Sequence, residues 1–339
     1  MRRNKMRISR SIILITLALL LIVQGCSLLP SNKATIQNPI ISPAKPKKTL
    51  QNLVVGFAQI GAESEWRTAD TLSIKQEAER LGVELKFMDA QQKQENQILA
   101  LRTFIAEKVD VIGISPVVET GYEEVFQEAK DAGIPIILVD RFADVPENQY
   151  VTYLGSDFLE EGRKAARVMA DLTNGKANIV ELVGTIDSAP ANLRYKGFRE
   201  ILNSYPDMHI IDSESGDFTQ ARGLEVMRTF LQKHGALITA VFAHNDDMAM
   251  GAIQAIEEYG LRPGVDIKIV SVDAARNAFE AMIAGKLNAT VECNPLLGPQ
   301  FFDLALKVAN GEAVPKRVPS IESIFFPGDA AKILPTRKY

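Results

Sequence analysis

The chain has 339 residues, 46% of them hydrophobic and 24% charged, an ordinary globular composition with enough apolar material for two cores. Its formal net charge of −4 falls to −9 once the five basic residues of the leader (Arg2, Arg3, Lys5, Arg7 and Arg10) are set aside, which argues against a nucleic-acid partner, whose phosphates ask for clustered cations. The cysteines are Cys26 and Cys293; if Cys26 carries a lipid, no disulfide framework or cysteine-based zinc site can be built from the one thiol left.

After the basic leader comes an apolar run, Ile12 to Val23, broken only by Thr16, and then Gln24-Gly25-Cys26. A basic start, a dozen apolar residues and a small residue before the cut read as a secretory signal over residues 1–25. The run is short for a transmembrane helix, which needs roughly 20 apolar residues. Val23-Gln24-Gly25-Cys26 resembles the lipobox of bacterial lipoproteins, with Gln24 a departure from the usual small or β-branched residue. The alternative is an uncleaved anchor. Both place the rest of the chain outside the cytoplasm, at a membrane face. Residues 26–50, with four prolines and no glycine, read as a semi-extended tether able to reach on the order of 70 Å.

From Leu53 the pattern is strand, loop, helix. Leu53 to Ala58 is an apolar run suited to a strand buried on both faces. The polar loop 59–65 follows, then a helix over 68–81 that stops at Gly82. Further strands are expected at 84–90, 111–115, 135–140 and 151–157, with helices at 96–109, 123–132 and 158–173. The alternation then starts again, with strands at 178–184, 209–216, 240–246, 267–273 and 288–293. Helical stretches 192–203, 219–233, 248–259 and 275–284 separate them, and 295–309 is one more helix. Val318 to Phe326, flanked by prolines, reads as a connecting segment or edge strand. Two βα series predict two doubly wound parallel sheets with helices on both faces, an α/β fold.

Chemistry gathers at the strand ends, where ligands of open parallel sheets bind. The first loop supplies Gln59, Glu63, Ser64, Trp66 and Arg67, and Trp66 is the only tryptophan of the chain. Later ends supply Asp89, Asp140-Arg141, Asn245, Asp273 and Glu292. Taken singly, such residues also serve as helix caps, and Trp66 also reads as a core residue. As a set they suit a neutral, hydroxyl-rich ligand. Hydroxyls donate to carboxylate and amide oxygens and accept from Arg or Asn, and a C–H ring face stacks on an aromatic such as Trp66 or Phe218.

GFAQIGAESEWR, DAQQKQENQ, ISPVV, ILVDR, SGDFT, AHNDDM, GAIQAI and NATVE, spread over about 53–300, resemble the substrate-binding proteins of the ribose/galactose class of bacterial sugar ABC importers. DAQQKQENQ and the E-x-x-W-R loop point to the galactofuranose binders within it. The resemblance implies a type I periplasmic binding protein fold, two lobes joined by three crossings near Ser156, Asn294 and 320–324. The lobes are then 53–156 with 294–320, and 157–293 with 321–339. It implies sugar contacts from Trp66, Arg67, Asp140, Arg141, Arg194, Phe218, Asn245 and Asp273, with Glu292 near a further contact position. Gln59, Glu63, Ser64 and Asp89 are added candidates. Pro190-Ala191-Asn192 departs from the family pattern just before Arg194. The implied partners are a monosaccharide, a permease with its ATPase and the membrane through the Cys26 lipid, with no cofactor and a monomeric body.

Three other readings compete. An enzyme lacks support: the three histidines share no metal spacing, His244 has no nucleophile partner, and Gly56-x-x-x-x-Gly61 lacks the Lys-Ser/Thr of a phosphate loop, although paired acids could in principle cleave glycosides. A transcription regulator of similar body would carry a helix-turn-helix where this chain carries its leader. A sensor handing sugar to a receptor shares the fold and differs in its partner.

Overall fold

The computed structural model describes residues 47–339. The leader, Cys26 and the tether up to Pro46 lie outside the described residues. Among those described, no helix is long and apolar enough to cross a membrane.

The strands form two six-stranded sheets. The first contains β1 (Val54–Gln59), β2 (Glu84–Asp89), β3 (Val111–Ile114), β4 (Ile136–Val139), β5 (Thr152–Gly155) and β11 (Arg317–Pro319). Their order is β11-β5-β4-β3-β1-β2, with every pairing parallel. The second contains β6 (Lys176–Val183), β7 (Asp207–Ser215), β8 (Ala240–Ala243), β9 (Lys268–Asp273), β10 (Ala289–Glu292) and β12 (Ile324–Phe325). Its order is β12-β10-β9-β8-β6-β7, and only β12 runs antiparallel to its neighbour. The strand order reverses at β1 and at β6, the switch geometry that opens a crevice at the carboxyl ends.

Continuous apolar strands feed two cores each because alternate side chains leave opposite faces. In the first sheet Val55, Phe57, Ile137 and Val139 join one cluster with Ile74 of α1 (Glu65–Leu81) and Phe301 of α9 (Gly298–Ala309). Ala58, Ile112, Ile114 and Leu138 join the other, with Phe104 of α2 (Gln94–Ala106) and Phe126 of α3 (Glu123–Asp131). The second sheet repeats the scheme. Val180, Leu182 and Val241 face α6 (Gln220–His234), α7 (Asp246–Glu258) and α8 (Arg276–Ile283), whereas Ile179, Phe242 and Val272 face α4 (Phe158–Thr173) and α5 (Ala189–Leu202).

The chain passes between the sheets after β5, after β10 and between β11 and β12. The segment expected as one β-prone element at 318–326 is instead two short edge strands, one on each sheet. The break falls at Ser320–Ser323, where the chain changes lobe. A last helix, α10 (Pro327–Ile333), follows where none was expected; Pro327 at its first position is pre-set for helix entry. Helix α1 also starts earlier than the apolar pattern predicts. Ser64 accepts from the Arg67 amide at 3.1 Å and caps it, so Trp66 and Arg67 sit on its first turn.

Candidate functional site

Between the two sheets lies a small cavity, with about 290 Å³ of atom-free space that includes open solvent at its mouth. Of the expected residues, Glu63, Ser64, Trp66, Arg67, Asp140 and Arg141 line it from the first lobe, and Arg194, Phe218, Asn245 and Asp273 from the second. Phe158, Pro190 and Cys293 line it as well. Sequence reasoning missed these three because apolar or weakly polar side chains carry no ligand signal; Cys293 reads as a small buried hydrophobe and is in fact buried.

Each lobe contributes a braced guanidinium. On the first, Arg67 is held by three carboxylates: Nη2 to Asp140 Oδ2 at 2.6 Å, Nε to Glu63 Oε1 at 3.1 Å and Nη1 to Asp70 Oδ2 at 3.3 Å. Burial disfavours its charge, but Asp140, Glu63 and Asp70 together raise its pKa above the usual arginine value. Arg141 is less satisfied. Its Nη1 donates to the Val117 carbonyl at 3.0 Å, Nη2 stands 3.8 Å from Glu63, and its buried Nε finds no acceptor. Burial, followed by the nearby Arg67 charge, lowers its pKa to about 10, so it stays cationic at neutral pH. Burial also works against the Glu63 charge, yet Arg67 and Arg141 hold its pKa below the ordinary value. Glu63 Oε2 has no partner.

On the second lobe Arg194 donates from Nε to Glu161 Oε2 at 2.7 Å and from Nη1 to the His244 carbonyl at 2.6 Å. Its Nη2 lies 3.7 Å from Asp273, too far for a hydrogen bond. Asp273 is 4% exposed, and no donor among the described residues reaches its carboxylate. Burial pushes its pKa well above the usual range despite Arg194. Asn245 caps α7 through Oδ1 to the Met248 amide and donates from Nδ2 to the Phe218 carbonyl, both at 3.0 Å. The Phe218 ring lies 5.2 Å from the Arg141 guanidinium of one lobe and 5.9 Å from that of Arg194 on the other, within cation–π reach of both. The Phe158 ring lies 5.3 Å from the Arg194 guanidinium as well.

Trp66 is 5% exposed and donates its indole N–H to the Cys293 carbonyl at 2.6 Å. It lines the cavity and also belongs to the second-lobe cluster of Phe158 and Val291, so it is at once a core residue and part of the cavity wall.

Three expected residues lie elsewhere. Gln59 points into its own lobe, donating from Nε2 to Asp70 at 2.8 Å and to Thr71 at 3.1 Å. Asp89 ends the sheet-edge strand β2, where it is exposed and closes a turn on the Gln91 amide at 2.7 Å. Glu292 faces the C-terminal segment, accepting from Arg337 at 2.7 Å and from the Ser323 amide at 3.0 Å. One residue further, Cys293 faces the cavity, because successive residues of an extended chain point to opposite sides.

No catalytic constellation is present among the described histidines. His209 is exposed, His234 pairs with Asp212, and His244 is buried against Glu181. Glu161, Cys293 and Glu322 bring metal-type ligand atoms within 4.8 Å of one another, but Arg194 already engages Glu161 and Ser156 engages both Glu322 and Cys293.

Residues 55–313 match the periplasmic binding protein domain. The chain belongs to that family. The galactofuranose-binding protein YtfQ of Escherichia coli (strain K12) is 45% identical over 83% of this chain and 89% of its own length. Among solved structures, the arabinose ABC transporter component of Shewanella sp. ANA-3, bound to α- and β-L-arabinofuranose, superposes with a TM-score of 0.82 at 46% identity, over 84% of this chain and 95% of that one. A Mycobacterium smegmatis protein in complex with β-D-fucofuranose gives 0.83 at 52% identity, over 85% and 95%. The two-lobed α/β body of this periplasmic binding protein is shared with these sugar-bound structures. Its lobes are drawn together around the cavity, with Trp66 of one bonded at the chain crossing of the other.

Proposed function

We propose that this protein is the sugar-binding component of an ABC importer, enclosing a neutral monosaccharide in furanose form between its lobes and delivering it to a permease. The observation that carries the reading is the set of unsatisfied polar atoms converging from both lobes on one small cavity. Glu63 and Arg141, which line it from the first lobe, each keep a buried polar atom without a partner, and the Asp273 carboxylate, which lines it from the second, stands 3.7 Å from Arg194. A polyol both donates to the carboxylates and accepts from the guanidinium, so it fits all three. The lining holds cations and acids in near balance, which favours an uncharged ligand over a sugar acid or amine. The furanose preference is supported by the arabinofuranose and fucofuranose bound in relatives of 46% and 52% identity.

On this reading the lobes are 53–156 with 294–320 and 157–293 with 321–339. Trp66, Arg67, Asp140, Arg141, Arg194, Phe218, Asn245 and Asp273 hold the sugar, and Cys26 carries the lipid that keeps a monomeric body at the membrane. Sugar bridging the lobes favours the closed form, because it touches groups that neither lobe presents alone.

A thermal-shift screen of aldopentoses and aldohexoses, followed by calorimetry, tests it. A sugar at 100 times its Kd should add about 2.7 kcal/mol of stability. A panel including L-arabinose, D-galactose and D-fucose that leaves the unfolding transition unmoved would remove the proposal.

A further inference from the structure

The lobes also meet outside the cavity. Glu119, in the loop after β3, donates its backbone N–H to the Asp187 carbonyl of the second lobe at 3.0 Å. Its Oε2 accepts from Asn192 Nδ2, on the first turn of α5, at 2.8 Å. Neither Glu119 nor Asn192 lines the cavity.

Both sides of this contact are braced to gripping residues. Two positions before Glu119, the Val117 carbonyl holds Arg141. The start of the same loop is pinned by Gln97, whose Nε2 donates to the Ser115 carbonyl at 2.6 Å and whose Oε1 accepts from the Val117 amide at 3.0 Å. The Glu119 carbonyl is tied in turn to the Asp144 amide at 2.7 Å, three residues beyond Arg141. On the second lobe, the turn that opens α5 carries Asn192 between Pro190 and Arg194, both at the cavity. Asp187 is held at φ 60°, an uncommon conformation for a non-glycine residue, and in it presents its carbonyl to Glu119.

We propose that Glu119 and Asn192 form a rim clasp that positions the two gripping loops against each other and sets how slowly bound sugar escapes; this rests on the sugar-binding reading above. The clasp touches no ligand. It forms only as the lobes meet, after encounter, and must break before they part. It therefore acts on the dissociation rate and leaves association nearly unchanged.

Trp66, the sole tryptophan, sits at the cavity and gives a built-in fluorescence signal for stopped-flow mixing of the full-length chain with the sugar identified by screening. Asn192→Ala should raise koff roughly two- to tenfold, the range one net hydrogen bond contributes, with kon within twofold of wild type. Asn192→Asp places a second carboxylate against Glu119; its koff should rise further, and added salt should reverse part of the rise. Glu119→Gln keeps the acceptor oxygen and should dissociate at the wild-type rate. Wild-type koff in both Asn192 variants overturns the clasp, as does a change confined to kon. A wild-type chain that binds none of the sugars overturns the sugar-binding reading and the clasp with it, whereas unchanged variants of a binding-competent chain overturn the clasp alone.

Discussion

The indole N–H of Trp66 and the carbonyl of Cys293 lie 2.6 Å apart, joining the first helix of one lobe to the second crossing, where the chain leaves the other lobe. The residue best suited to stack on a sugar ring is thus also bonded to the segment about which the lobes would move. Trp66→Phe keeps an aromatic face and deletes the donor. The Cys293 carbonyl, buried with its residue, then loses its partner, at a cost of about 1–3 kcal/mol. Urea unfolding of the sugar-free chain should show the loss; an unchanged midpoint would mean that the bond contributes nothing.

Arg141 keeps unmet capacity at the cavity, with Nε unpartnered and Nη2 3.8 Å from Glu63. Arg141→Ala should weaken sugar binding by roughly 2–5 kcal/mol, because Glu63 and the ligand oxygens lose a buried charged donor together. Arg141→Lys should recover little of this, since a point charge cannot span Val117, Glu63 and a sugar hydroxyl as the planar fork does. Calorimetry decides: affinity within twofold of wild type in the alanine variant means that Arg141 does not grip the ligand.

Gly184 explains why Phe218 can lie where both guanidinium groups reach it. A Cβ on Gly184 would stand 1.9 Å from Phe218 Cζ, an overlap only displacement of the ring can relieve. Gly184 is not among the glycines with positive φ, so alanine strains no backbone there. Gly184→Ala should cost about 1–3 kcal/mol, and displacement of the ring from between Arg141 and Arg194 should weaken sugar affinity as well. If calorimetry finds the affinity unaltered, the position of Phe218 is immaterial to binding.

The fold was legible because its signals are local. Apolar runs such as VVGFA and IILV, bounded by polar turns and Gly82 or Gly133, announce strands buried on both sides and separated by helices. The same logic brought out Asp140, Arg141, Asn245 and Asp273, which stand where strands end. What stayed hidden depends on tertiary placement. Nothing in VPSIESIFF tells that Arg317–Pro319 pairs with β5 and Ile324–Phe325 with β10. Gln59 ends a strand as Asp140 does, yet its side chain serves Asp70. The exchange of Glu292 for Cys293 at the cavity wall is a one-residue question of facing that periodicity alone does not fix.

Glu322 gives a prediction in pH. It lies on the third crossing, and its Oε1 accepts from Ser156 Oγ on the first and from the Asn294 amide, at 3.4 Å, on the second. Burial, and then the neighbouring Glu161, raise its pKa from 4.5 to about 8. The folded protein thus holds this proton more tightly than the unfolded chain does. The contribution to stability is complete below pH 4.5 and declines as pH rises, until it is lost above about 8. Over that window the loss is on the order of 2–4 kcal/mol, taken below the full shift because the side chain is partly exposed. Glu322→Gln keeps the acceptor for Ser156 and cannot ionise. Denaturant unfolding at pH 5 and pH 8 should show a wild type that weakens across the interval and a variant that weakens less. At pH 8 the variant should be the more stable of the two. Parallel behaviour of the two proteins would mean that Glu322 is ionised throughout and that the three crossings meet around a charge. In that case Lys164, whose ammonium lies 3.3 Å from the Glu322 carbonyl, would be the cation that tolerates it.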